Sequence, residues 1–154
     1  MRLTHYLRSD LILPDLDASG LAPVVRALAG HLHEHVAEVS QSALAEALLE
    51  REKAHTTAMG EGVAVPHATV PGLEEPILFV ARARDPVRFG PPESEPVWIF
   101  FVLLSPPGRA REHIKLLARI CRLVRHPGFL DDLREAGSAD EILGVIEAVD
   151  AQHV

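Results

Sequence analysis

Apolar positions along this chain recur with two different periods, and the change from one to the other marks out its elements. Val24, Val25, Leu28, Leu32 and Val36 follow helical spacing, which predicts a helix reaching about His35 and capped by Asp17 or Ser19. Ser40 opens a second helix over Gln41 to about Lys53, with Leu44, Leu48 and Leu49 as its inward stripe. Leu11-Ile12-Leu13 before Pro14 reads as a short first strand, and Val63-Ala64-Val65 as a second. Between Lys53 and Val63 lies a polar connection; after His67, Pro71-Gly72 and Pro76 punctuate a loop. Ile77 to Arg84 ends in apolar–charged alternation, as a half-buried strand does. Asp85 to Glu95 reads as an extended piece plus a turn. Val97 to Leu104 is apolar throughout, the mark of a central strand covered on both faces. A long helix follows from about Ala110 to Arg125, then a short one from Phe129 to Glu135 beyond Pro127-Gly128. Gly137 ends the short helix, and Ser138 with Glu141 forms a capping-box pattern for a last one.

The order is therefore strand, two helices, three or four strands, then three helices, with no repeat, linker or low-complexity segment. It predicts one α/β domain over 1–154: three layers, with helices on both faces of a mixed sheet of about four to five strands.

Composition narrows the function. An apolar fraction of 47% and a charged fraction of 24% suit a globular protein with a proper core. A net charge of −7 argues against nucleic acid or an anionic membrane as partner, since either needs a basic face. The single cysteine, Cys121, excludes an internal disulfide framework and is expected as a small core residue of the third long helix. The N-terminus lacks the apolar core of a signal peptide, and the run Val97 to Leu104 is too short to span a bilayer. Cytoplasm is the expected location.

Nine histidines remain to be weighed. His5, His126 and His153 lie near termini or turns and are expected on the surface; His55 in the polar connection takes no role. His31 and His35 share a helix face at a spacing that can chelate zinc, and Glu34 or Glu38 could assist. They fall beside the apolar stripe without a third ligand at a characteristic spacing, so no metal is expected. His67 has a different setting. It follows a strand and Pro66, which holds the backbone extended and aims the ring in a defined direction at a sheet end. Gly60 and Gly62 allow close backbone approach, and their N–H groups could face an anion. Neutral imidazole is a competent nucleophile toward phosphorus, and Arg51, Thr56 and Thr57 stand just upstream. On the residues alone, a structural histidine and a phosphoryl acceptor are both open.

The run Arg51-Glu52-Lys53-Ala54-His55-Thr56-Thr57-Ala58-Met59-Gly60-Glu61-Gly62-Val63-Ala64-Val65-Pro66-His67-Ala68 resembles the signature of the fructose/mannitol-type enzyme IIA domain of the bacterial phosphoenolpyruvate-dependent phosphotransferase system. A second motif of that family, His-Leu-x-x-Leu on a later helix, is matched by His113-Ile114-Lys115-Leu116-Leu117, with isoleucine where leucine is usual. The resemblance covers essentially the whole chain. It implies that His67 accepts a phosphoryl group from an HPr-type carrier, that His113 stabilises or orients the phosphorylated ring, and that Arg51 contacts the phosphoryl oxygens. Thr57, Gly60 and Gly62 would support the site, with no metal and no cofactor. Met59 and Glu61 depart from the family's usual turn, and Glu61 adds a negative charge near a site meant for phosphate. With its opening at Met1 and its end soon after the last helix, the chain is expected to carry no attached IIB or IIC domain, and the opening looks like that of the stand-alone, nitrogen-related IIA proteins that regulate other proteins. The alternatives are a sugar-specific IIA that passes phosphate to a IIB domain, and a binding module in which His67 is never phosphorylated.

Overall fold

The computed structural model describes residues 2–36 and 39–153. Two short 3-10 turns, Leu3–His5 and Ser9–Leu11, lead into helices α1 (Leu21–His35) and α2 (Gln41–Ala54). Strands β1 (Ala58–Gly60), β2 (Val63–Ala64), β3 (His67–Thr69), β4 (Ile77–Val87) and β5 (Val97–Ser105) follow, then α3 (Ala110–Val124), α4 (Phe129–Glu135) and α5 (Ala139–Gln152). The five strands form one mixed sheet around β5, which is buried at every position as its unbroken apolar run predicts.

Side chains leave the sheet alternately, so the pattern divides the core in two. Ala64, Phe79, Ala81, Phe100 and Val102 meet Val24, Leu28 and Leu32 of α1 and Leu44 and Leu48 of α2. Val63, Val65, Leu78, Val80, Phe101 and Leu103 meet α3, α4 and α5 on the other face. This is the three-layer arrangement the element order implies.

The most consequential detail is the broken edge beside β5. β4 pairs antiparallel with one side of β5, and β2 and β3 both pair parallel along the other. Their register is continuous: Val63 faces Ile99, Ala64 faces Phe100, and His67 faces Leu103. β2 and β3 are thus one strand interrupted at Val65-Pro66, where Pro66 lacks an N–H but its carbonyl still accepts from Leu103 N at 3.0 Å. His67 therefore sits inside the sheet edge rather than at a sheet end.

Other expectations are corrected in physical terms. Leu11-Ile12-Leu13 is not a strand: only Leu13 bridges to Ala81, and Pro14, with no donor, cannot extend the ladder. Gly20, at φ +99°, precedes α1 in place of a side-chain cap, while Ser19 Oγ accepts from Arg88 N. Ser40 and Ser138 do cap, accepting from Ala43 N at 3.3 Å and from Glu141 N at 3.2 Å. Leu49 is only partly buried. The polar connection after α2 contains β1, which returns as a hairpin onto β2. Cys121 is half-buried on α3 rather than in the core. His126 and His153 are half-buried too, with Nδ1 of the first 2.9 Å from Nε2 of the second.

Candidate functional site

His67 lies two positions beyond Val65, so strand alternation turns its ring to the face covered by α3. The interruption at Pro66 lets the ring fold back on its own chain: Nδ1 lies 2.8 Å from the carbonyl oxygen of Val65. A carbonyl only accepts, so Nδ1 carries the proton and the neutral ring keeps its free electron pair on Nε2. Burial, and to a lesser extent the charge of Arg51, hold the His67 pKa below its ordinary value, against the opposing pull of the Val65 carbonyl and Glu52. At neutral pH the ring is therefore neutral, with a defined tautomer.

His113 comes to it from α3. The helix begins after Arg109, and His113 is in its first turn, its N–H bonded to the Arg109 carbonyl. The His67 and His113 ring centroids are 5.3 Å apart and tilted at 53°. Nδ1 of His113 meets the hydroxyl of Ser105 at 2.6 Å, at the end of β5. Burial lowers the pKa of His113 as well, followed by repulsion from His67 when that ring is protonated and from the charge of Arg51. Two imidazoles thus face each other, each anchored through Nδ1 and each with Nε2 left for a third party.

Arg51 stands in the last turn of α2, where its Nη1 donates to the His55 carbonyl at 2.8 Å. Its charge is felt at both rings. The neighbouring Glu52 is buried and receives three bonds: from Thr57 N at 2.6 Å, from Thr57 Oγ1 at 2.7 Å and from Thr56 Oγ1 at 3.0 Å. Thr57 is accordingly committed to Glu52, tying the end of α2 to the start of β1.

Gly60 and Gly62 are not brought to His67. They flank Glu61 at the β1–β2 hairpin, and Gly62 is level with Trp98 while His67 is level with Leu103. Four residues of extended chain, Val63 to Pro66, lie between Gly62 and His67, a span of roughly 16 Å. The glycines answer to backbone geometry and Trp98: φ is +87° and +80°, and a Cβ on Gly62 would lie 2.1 Å from Trp98 Cδ1. Glu61 is exposed in the same turn at φ +58°, so its charge is remote from the rings.

Ser105 signals itself in the sequence only as the polar residue closing an apolar strand, and Glu52 only as part of the motif beside Arg51. The acceptor for His67, a main-chain carbonyl, has no side-chain signature at all. Among the described residues, no helix is long and apolar enough to cross a membrane.

Residues 5–149 match the family model described as phosphoenolpyruvate-dependent sugar phosphotransferase system, EIIA 2. A nitrogen regulatory protein of Bradyrhizobium diazoefficiens is 36% identical over 146 residues, covering 95% of this chain and 95% of the relative. A fructose-specific EIIABC component of Bacillus subtilis is 26% identical over 150 residues, covering 97% of this chain but 24% of that one. The crystal structure of nitrogen regulatory protein IIA-Ntr from Neisseria meningitidis superposes with a TM-score of 0.84 at 26% identity, covering 94% of this chain and 98% of that one. With its paired imidazoles on a three-layer frame and a match across nearly its whole length, the chain belongs to the EIIA 2 family of the phosphoenolpyruvate-dependent sugar phosphotransferase system.

Proposed function

We propose that this EIIA domain carries a phosphoryl group on Nε2 of His67, received from an HPr-type phosphocarrier, and that it serves regulation of the nitrogen-related kind. The observation that carries the proposal is the 2.8 Å bond from Nδ1–H to the Val65 carbonyl, which directs the nucleophilic electron pair to Nε2. In the transfer, the phosphorus–nitrogen bond of the donor phosphohistidine breaks as the Nε2–phosphorus bond forms. The donor ring keeps the electron pair of the broken bond, and no net proton is needed. Catalysis is then positioning and charge stabilisation, for which a fixed imidazole and nearby cationic or N–H donors suffice. His113 offers Nε2 toward the incoming anion when the Ser105 hydroxyl donates to its Nδ1. Arg51 supplies positive charge and a planar fork suited to two oxygens. Thr57, with Glu52, holds the segment that presents Arg51, and Gly60 and Gly62 act only through the hairpin.

The regulatory reading is favoured over sugar transport by the 36% identity to a nitrogen regulatory protein over 95% of both chains, against 26% to a fructose-specific component. Incubation with phosphoenolpyruvate, enzyme I and the cognate HPr should label the protein in an acid-labile, base-stable form, and His67→Ala should remove the label. Unchanged labelling of His67→Ala would overturn the assignment. No label on the native chain with a competent carrier would favour a binding module instead. Rapid onward transfer to a IIB domain would replace the regulatory role with sugar transport.

A further inference from the structure

A second cluster of ligating side chains lies away from the paired imidazoles, on α1. His31, Glu34 and His35 share one face of the last turns of that helix, at i, i+3 and i+4. Each offers one ligand atom, and these atoms lie within 4.8 Å of one another. The third ligand missing from the spacing of the histidines alone is therefore Glu34; Glu38 lies outside the described residues. The neighbouring His33 is drawn elsewhere, with Nδ1 2.9 Å from the Val39 carbonyl.

The two rings are also prepared for a ligand. Nε2 of His31 lies 2.6 Å from the carbonyl oxygen of Leu11, and Nδ1 of His35 lies 3.0 Å from the carbonyl oxygen of His31. Each ring thus donates one N–H to a backbone carbonyl, which leaves Nδ1 of His31 and Nε2 of His35 carrying the free electron pair. A second-sphere carbonyl that sets tautomer and orientation is the usual companion of a metal-binding histidine. The surroundings favour a cation. The cluster occupies the C-terminal end of α1, where unpaired carbonyls make the helix end negative. The His31 ring packs 5.9 Å from Phe79 on β4, on the opposite side of β5 from His67.

We infer that His31, Glu34 and His35 form a binding site for a single divalent transition-metal ion of the zinc type. Two imidazoles and a carboxylate suit Zn2+ in a tetrahedral shell whose fourth position stays open to water. Bound there, the ion would hold the end of α1, with the segment that Leu11 begins anchored through the His31 ring. The inference stands independently of any role of His67.

The test uses the full chain freed of metal by chelator, titrated with Zn2+ against a chromogenic chelator and with Co2+ by absorption. One equivalent of Zn2+, tetrahedral Co2+ bands and a Zn2+-dependent rise in Tm are expected. Glu34 and His35 are exposed, so their replacement leaves the core untouched. Glu34→Gln should weaken Zn2+ binding by more than ~10-fold, as even loss of a supporting partner does. His35→Ala should abolish the Co2+ bands and the Tm rise. His126→Ala, in a histidine pair without a third ligand among the described residues, should bind as the native chain does. No stoichiometric binding, or equal affinity in native, Glu34→Gln and His35→Ala chains, would overturn the inference.

Discussion

At the scale of single residues, chemistry here depends on which nitrogen of each ring is occupied. The His67 bond to Val65 reserves Nε2, and burial keeps the ring neutral below its ordinary pKa. Acceptance of a phosphoryl group should therefore persist to lower pH than a free imidazole allows, and the acid limb of the labelling rate should fall below pH 6.5. His113 should move the other way once His67 is charged. Its pKa is lowered by burial and by neighbouring positive charge, so an added phosphoryl anion should raise it. Proton-detected titration of the ring before and after phosphorylation checks this. His113→Ala should still accept phosphate, but with a changed rate or lifetime of the label. Stability follows the same sign. Because both rings titrate lower folded than unfolded, the unfolded chain takes up protons first as pH drops below 6.5. Urea midpoints should fall across that window and level off once the folded rings protonate.

Among the elements, the hairpin between β1 and β2 shows how a functional-looking motif can be structural. Gly60 and Gly62 stand out in the sequence beside His67, and the natural reading sets them on the anion. In the fold, the N–H groups of Trp98 and Ile99 both converge on the Gly62 carbonyl, and the indole Nε1 donates to Glu61 O at 3.2 Å. Gly62→Ala forces a left-handed residue against the indole and should cost at least ~2 kcal/mol, read as a lower urea midpoint with unchanged slope. At α2, Ser40→Ala should cost about 1 kcal/mol by loss of the Ala43 N–H acceptor. Helices and the two long strands were legible in advance because each shows its period over many residues. Of the short strands only β2 was, as Val63-Ala64-Val65; β1 is three residues and β3 begins at the catalytic candidate itself, too little chain to display alternation.

For the whole molecule, closure of the chain rests on contacts that no local pattern contains. Arg119 on α3 donates to Asp150 on α5 at 2.7 Å, and Asp150 also accepts from Thr4 N near the N-terminus at 3.2 Å. The pair is buried, so Asp150→Ala would leave the guanidinium its carbonyl partners but no counter-charge and should cost about 3 kcal/mol in denaturant unfolding. Arg82 donates to the carbonyls of Pro14, Leu133 and Ala136, and so joins β4 to the end of α4. In the sequence these residues read as ordinary charges. What the sequence determined by itself was the succession of helices and long strands, the layering around Val97–Ser105, and the motif carrying His67 and His113. These follow from periodicity and short-range spacing, which act through neighbouring residues. What tertiary structure decided was the resumption of the β2 strand as β3 beyond Pro66, and the withdrawal of Gly60 and Gly62 from the site. It also decided that Ser105 meets His113 and that Glu34 joins two histidines. Those depend on sheet register and on which backbone carbonyl a ring happens to reach. Register is a property of paired strands distant in sequence, so only the folded chain can express it.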